Sequence, residues 1–205
     1  MNCLGFDCSG KDVVVGVIGK GGKYYETAIN GGSGTEMLIT TINDCLSKAG
    51  LMISDIECIG VCVGPGSWTG ARVAVSTLFG LFSGLEKKPK VFSFDVFDMI
   101  AYNEIEEESS FLLIPAYGNY IYAKKYSKDL NFEPFFTSKE EYLKNNLSEV
   151  SYSFDSVFEN TKLVEKQMKL VMLDKIKKSK FQDIETIEPM YLRESQAELQ
   201  LKSKR

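Results

Sequence analysis

The chain has 205 residues, a formal net charge of −4, 44% hydrophobic residues and 12% aromatic residues. This composition predicts a folded protein of one large domain or two small lobes, and its charge gives the chain as a whole no attraction for nucleic acid. The chain contains no histidine, which excludes Ser-His-Asp and Cys-His catalysis, histidine-ligated zinc and histidine general bases.

The elements of the first half predict an α/β lobe. Three short strands come first, at 3–6, 13–18 and 23–29, and the short links between them indicate antiparallel hairpins. They are followed by a helix at 35–49, a strand at 56–63, a helix at 73–85, a strand at 91–94 and a short helix at 96–103. Antiparallel strands first and alternating strands and helices later are typical of a mixed sheet in the α/β class.

The composition changes after residue 103, which predicts a division into lobes at 1–103 and 104–205. An acidic connector at 104–108 precedes strands at 111–115 and 120–126, and the chain from 161 onward reads as helical and lysine-rich. The residues from 161 on carry 11 basic and 7 acidic side chains. A solvated helix face is the favoured interpretation of these lysines, and contact with RNA phosphates stays open.

Five cysteines lie at positions 3, 8, 45, 58 and 62, with no CxxC pair. Cys58 and Cys62 fall on one face of their predicted strand, because strand neighbours at even separation share a side. Zinc or a disulfide is open there, but two small buried residues are favoured. The N-terminus has no signal-peptide pattern, and no apolar stretch approaches the roughly 20 residues that cross a bilayer, so we expect a soluble, cytoplasmic protein.

The most distinctive stretch is 64–72, which reads GPGSWTGAR between a strand and a helix. Gly64 and Gly66 free the backbone at this turn, and Ser67 and Thr69 are both candidate N-caps for the following helix. Such a turn can present amides to an anion, or it can simply pack a helix tightly on a sheet. The second interpretation is favoured.

The helix after this turn carries a stripe of residues spaced four apart: Arg72, Ser76, Gly80 and Gly84. Glycine inside a helix costs about 0.5–1 kcal/mol relative to alanine, so two glycines indicate a close contact in return. Apolar residues flank the stripe, which predicts a helix covered on both sides. The cover is the second lobe, a partner protein or a second copy of this chain.

Asp7 and Ser9 are the candidate cofactor-binding residues, because they follow the first strand where a phosphate or a magnesium ion could bind. A structural hairpin carboxylate is the favoured alternative for Asp7. A nucleotide site of this kind needs glycine turns in both lobes, yet 16 of the 17 glycines lie in the first 84 residues and Gly118 is the last. We therefore expect no intrinsic catalytic activity, no catalytic residues and no metal site.

Three motifs together resemble the TsaB (YeaZ) family. They are Asp7-Cys8-Ser9 after the first strand, the glycine turn 64–72, and a late Pro189-Met190-Tyr191-Leu192-Arg193 followed by Ala197. The resemblance implies an actin/Hsp70/sugar-kinase-like (ASKHA) fold of two α/β lobes, the second reduced. It also implies a role as the non-catalytic partner of TsaD in making N6-threonylcarbamoyladenosine at position 37 of tRNA.

Further partners and ligands follow from the same resemblance. They are a TsaE-like ATPase docked on the complex, tRNA reached through the complex, ATP or ADP with Mg at the partner interface, and a homodimer when the chain is alone. The partner interface is expected on two helices of the first lobe, at Leu38, Ile42, Cys45, Arg72, Val75, Ser76, Phe79, Gly80 and Phe82. The alternative function is a small ATPase or phosphotransferase of the same fold that uses Asp7 and the glycine turns.

The sequence also departs from the family pattern. Gly34 and Thr40 stand where the family carries histidine and proline at its first helix. In the second lobe, where the family reads Asp-Ala-Arg-x-x-Glu-x-Tyr, only Ala116 and Tyr122 are kept. No role of the missing side chains is carried over to this chain.

Overall fold

The computed structural model describes residues 1–30, 34–105, 107–127, 130–146, 149–159 and 161–192. The first lobe is built on a five-stranded sheet in the order β3-β2-β1-β4-β5. Its strands are β1 (Cys3–Asp7), β2 (Asp12–Ile18), β3 (Tyr24–Asn30), β4 (Cys58–Cys62) and β5 (Lys90–Phe94). Its helices are α1 (Leu38–Ala49), α2 (Trp68–Gly84) and α3 (Val96–Ala101), with a 3-10 turn at Gly34–Met37 before α1.

The second lobe repeats this plan with a second five-stranded sheet, in the order β10-β9-β6-β7-β8. Its strands are β6 (Ser109–Pro115), β7 (Tyr120–Ser127), β8 (Phe135–Ser138), β9 (Ser151–Ser153) and β10 (Lys162–Leu163). The helices of the second half are α4 (Lys139–Asn146) and α5 (Met168–Lys177).

The two sheets have the same connectivity. In each, the first strand is central. On one side of it the second strand is antiparallel to the first and the third is antiparallel to the second, and on the other side the fourth and fifth strands run parallel to the first. A helix joins the third strand to the fourth in both lobes. α2 joins the fourth strand to the fifth in the first lobe, whereas the described residues between β9 and β10 contain no helix. The predicted ASKHA fold of two α/β lobes, the second reduced, is confirmed.

The core of the first lobe lies on both faces of its sheet. α1 and α2 cover one face, and α1 forms because Leu38, Ile42 and Leu46 share one side of the helix and are buried together. Gly50 ends α1 in the left-handed conformation, with a φ of 66°. Cys58 and Cys62 lie together on the opposite face as free, buried residues, so the favoured interpretation of this pair is confirmed.

The end of the described chain returns to the first lobe, which departs from the predicted division at 103/104. α5 contacts β1 and β2, where a Cβ on Gly5 would overlap the sulfur of Met172. Further on, Gln182 pairs with Val91 of β5. The sequence predicts helix from 161 onward, and among the described residues of that stretch this holds for α5 alone, the rest being non-helical apart from a 3-10 turn at Ile184–Thr186. A search of the described residues found no helix both long and apolar enough to cross a membrane.

Candidate functional site

The glycine turn is packed directly on the loop that follows β1. Ser67 donates its backbone N–H to the carbonyl oxygen of Ser9 at 2.7 Å. A Cβ on Gly66 would overlap the Ser9 carbonyl, and a Cβ on Gly70 would overlap the Cys8 carbonyl. The glycines therefore allow two backbones to touch.

Two further segments bind the same turn. Val96, at the start of α3, donates its N–H to Gly64 O at 2.8 Å, and Met190 donates to Val63 O at 2.8 Å. The Ser67 hydroxyl accepts from Gly70 N at 3.1 Å and caps α2, so the helix begins at Trp68, five residues earlier than the sequence predicts. Thr69 lies inside the helix. This geometry supports the packing interpretation of the turn.

Arg72 lies in a cluster with two aromatic rings. Its Nε donates to the hydroxyl of Tyr191 at 2.9 Å, and its guanidinium lies 5.2 Å from the Trp68 ring centroid and 5.6 Å from that of Tyr191. The two rings are 4.5 Å apart. The late motif of the sequence thus packs against the glycine turn and α2, although Arg193 and Ala197 lie outside the described residues.

The stripe of residues spaced four apart lies on the outer face of α2, which nothing in the described structure covers. Arg72, Ser76, Gly80 and Gly84 are all exposed, and Phe79 beside them is 36% exposed. Phe82 is half-buried at the edge of the core. A Cβ on Gly80 or on Gly84 would meet nothing within 4 Å, so the packing of the described residues does not require glycine at either position.

Four residues of the predicted interface are instead part of the core. Leu38, Ile42 and Cys45 of α1 are buried beneath the helix, and Val75 of α2 is buried as well. The apolar spacing that singled out the three α1 residues is the inward face of an amphipathic helix, and this part of the predicted interface is corrected. The exposed apolar side chains at this end of α1 are Met37 and Ile39, at 39% and 52%.

Asp7, at the end of β1, is a buried carboxylate with both oxygens occupied. Oδ1 accepts from Ser9 N at 2.8 Å and from the Ser9 hydroxyl at 2.6 Å. Oδ2 accepts from the ammonium of Lys166 at 3.0 Å. The side chain of Asp7 is 1% exposed and that of Lys166 22%. Asp7 and Ser9 are therefore brought together as predicted, but with a lysine as their third member.

The charges of this pair stabilise each other. Burial alone would raise the pKa of Asp7, but the Lys166 ammonium and the Ser9 hydrogen bonds outweigh it and hold the pKa below its usual value. Burial alone would lower the pKa of Lys166, and the Asp7 carboxylate outweighs it, so that pKa is raised. Both groups are charged at neutral pH.

The cluster of Asp7, Ser9 and Lys166 does not fit the divalent cation that the fold suggests. Both oxygens of Asp7 already accept hydrogen bonds from Ser9 and Lys166, and the Lys166 ammonium repels a second cation. In the second lobe, the position equivalent to Asp7 is the end of β6, where Pro115 and Ala116 supply no carboxylate. The described residues also contain no group of three or more Cys, Asp or Glu side chains that could hold a metal ion.

The sequence did not predict the contact of Lys166 with Asp7 or that of Tyr191 with Arg72. Lys166 is 159 positions from Asp7, and Tyr191 is 119 positions from Arg72. No local pattern marks either contact. Only the late Tyr-Leu-Arg motif hinted that the end of the chain matters.

The structure is that of a two-lobed protein with the actin/Hsp70/sugar-kinase-like fold, in which the buried carboxylate at the end of β1 is already paired with a lysine. Within that class the structure is similar to YeaZ from Pseudomonas aeruginosa, with a TM-score of 0.72 and 18% identity over 93% of this chain and 99% of that one. A second structure, described as an uncharacterized protein with similarity to peptidase YEAZ from Pseudomonas aeruginosa, matches with a TM-score of 0.73 and 18% identity over 94% of this chain and 99% of that one.

A family model described as TsaD, tRNA N6-adenosine threonylcarbamoyltransferase, matches residues 34–129 of this chain. This region contains α1, α2 and the start of the second lobe. The resemblance to the TsaB (YeaZ) family that the motifs indicate is confirmed.

Proposed function

We propose that this chain is the non-catalytic scaffold subunit of the bacterial complex that forms N6-threonylcarbamoyladenosine at position 37 of tRNA. Its binding partner in this proposal is a TsaD-like transferase. The likeness to YeaZ and the match to a threonylcarbamoyltransferase model support this role. The buried Asp7 carboxylate, bound by Lys166, supports a subunit without its own chemistry.

The exposed face of α2 carries the proposal. Gly80 lies inside the helix, where glycine costs about 0.5–1 kcal/mol relative to alanine, and Gly84 is the last residue of the helix. No neighbour in the described structure requires glycine at either position. Small residues at four-residue spacing let a second helix approach closely. Phe79 beside the stripe and Met37 and Ile39 at α1 supply apolar area that water now covers.

The kind of partner follows from the family match. α1 and α2 lie inside the region that a TsaD model describes, so a TsaD-like protein carries related helices. Two related helix pairs meet most simply across a pseudo-two-fold axis, in which each side offers the same face. The same argument makes a homodimer the alternative assembly when no partner is present.

The interface in this proposal consists of those predicted interface residues whose side chains are exposed. The predicted residues that are buried in the core support them from beneath. Arg72, Ser76, Phe79 and Gly80 make contact, and Phe82 lies at the edge. A TsaE-like ATPase and tRNA would be reached only through the assembled complex, and ATP or ADP with Mg at the partner interface stays a prediction.

The test is co-purification with a TsaD-like protein from the same source cell. Gly80→Arg places a long side chain in the open space over the stripe, so we expect the monomer to stay folded and the affinity to fall at least about 100-fold. Asn145→Arg, on the exposed face of α4, is the matched control and should bind normally. Light scattering after gel filtration measures the complexes, and a heterodimer that survives Gly80→Arg rejects this interface.

A further inference from the structure

Lys166 lies in a segment attached to both lobes. Just before it, Val164 donates its N–H to Ser153 O of the second sheet at 2.9 Å. Just after it, Gln167 donates to Met99 O of α3 in the first lobe at 3.1 Å. The backbone around Lys166 therefore spans the cleft, and its side chain points back to Asp7.

The groups around the Lys166 ammonium favour a positive charge and leave room for it. Its Nζ lies 4.4 Å from the centroid of the Phe154 ring, which follows β9 in the second lobe. On the other side, a Cβ on Gly10 would come within 3.3 Å of Nζ. Lys166 thus contacts an anion of the first lobe and an aromatic face of the second, two groups that favour a cation.

We propose that Lys166 is an internal counter-ion that holds the two lobes together, through its ion pair with Asp7 of the first lobe and its contact with Phe154 of the second. The chain keeps its buried Asp7 but neutralises it with its own lysine. This proposal does not depend on the identity of the partner.

A second ion pair between the lobes, Lys11 with Asp155, is too weak to hold them together. Its charges are 3.9 Å apart, and the Lys11 side chain is 90% exposed. Exposed pairs contribute little to stability. Asp7 and Lys166 are the pair to test.

The first test is a double-mutant cycle on the full chain with Asp7→Asn, Lys166→Met and the double variant. Lys166→Met leaves the buried Asp7 carboxylate without its partner, so we expect the unfolding midpoint to fall by roughly 6–20 °C. Asp7→Asn leaves the partly exposed Lys166 ammonium unpaired and should lower the midpoint by less. The double variant should lose clearly less than the sum of the two. Losses that simply add would overturn the proposal.

Two control variants complete the cycle. Lys162→Met removes an exposed lysine that pairs with Glu107 in the same part of the chain, and it should shift the midpoint by less than about 3 °C. Lys166→Arg keeps the positive charge and should retain most of the stability. If Lys166→Met does not fold while the double variant does, that rescue is itself the expected coupling.

The second test is calorimetric titration of Mg-ADP into the unaltered chain and into Lys166→Arg. We expect no binding up to millimolar concentration in either. Micromolar binding by the unaltered chain would overturn the proposal, because Lys166 would then be a phosphate ligand or no obstacle to one. A chain that binds Mg-ADP in this titration can still co-purify with a TsaD-like protein. The titration therefore tests the role of Lys166 separately from the proposed function.

Discussion

Glycines at three positions of the same segment have two different reasons to be there. Gly66 and Gly70 are fixed by the neighbouring carbonyl groups of Ser9 and Cys8, which leave no room for a Cβ. Gly80 has open space around its Cα. The first two determine how α2 sits on the lobe, and the third determines what can approach α2 from outside.

The same substitution should therefore have opposite effects at two positions of one helix. Gly70→Ala forces a methyl group against backbone, and we expect it to destabilise the protein by about 2–3 kcal/mol. Gly80→Ala removes the entropy cost of glycine without a clash and should stabilise by about 0.5–1 kcal/mol. Urea unfolding followed by circular dichroism measures both, and effects of the same sign would contradict this account of the glycines.

At the scale of one element, α3 begins with a pair of facing carboxylates. Asp95 accepts from Asp98 N at 2.6 Å, and Asp98 accepts in return from Asp95 N at 3.3 Å. Burial and the neighbouring Asp98 charge raise the pKa of Asp95 to about 6. The capping arrangement that starts the helix thus places a charge where the protein disfavours it.

This arrangement predicts a pH dependence. Because the folded pKa lies above the ordinary value of 3.8, the folded state binds more protons between about pH 4 and 6, and this contribution to stability is lost as the pH rises through that window. Asp95→Asn keeps the capping oxygen and removes the charge. It should stabilise the protein by about 1–2 kcal/mol at pH 7.5 and by much less at pH 4.5. Urea unfolding at the two pH values tests this, and an equal difference at both would rule it out.

At the scale of the whole molecule, the last described segment of the chain packs back on the first lobe. α5 follows the second sheet but packs on the first, with Met172 buried against Gly5. Tyr191 then covers Trp68 and Arg72. The first lobe is completed by a segment that follows the second lobe in sequence, so we expect the two lobes to unfold together.

Met172→Ala should show this coupling. The loss of a fully buried methionine costs about 2–5 kcal/mol. Trp68 is the only tryptophan of the chain, so its fluorescence reports on the first lobe while far-ultraviolet circular dichroism reports on both. The two transitions should coincide and move together in the variant. The matched control is Leu173→Ala, one residue further along α5 at a 37% exposed position, and it should have little effect; separate transitions would show that the lobes unfold independently.

The sequence alone determined most of the elements and the class of fold. The periodicity of hydrophobic residues and the positions of the glycines predicted the strands of the first lobe, α1 and the stripe of α2, because these patterns are local in sequence. The sequence did not show whether the apolar side of α1 packs on the core of this chain or on a partner. An amphipathic pattern predicts a buried side, but it is the same for both kinds of neighbour.

Only the tertiary structure decided what surrounds Asp7 and Arg72. Lys166 and Tyr191 come from the far end of the chain, across separations of 159 and 119 positions, and nothing in their local sequence specifies those contacts. The carboxylate in the first motif is a site residue by pattern and a lysine-bound structural charge by geometry. The physical reason is that pairing of distant side chains depends on where the folded backbone brings them, which spacing along the chain does not encode.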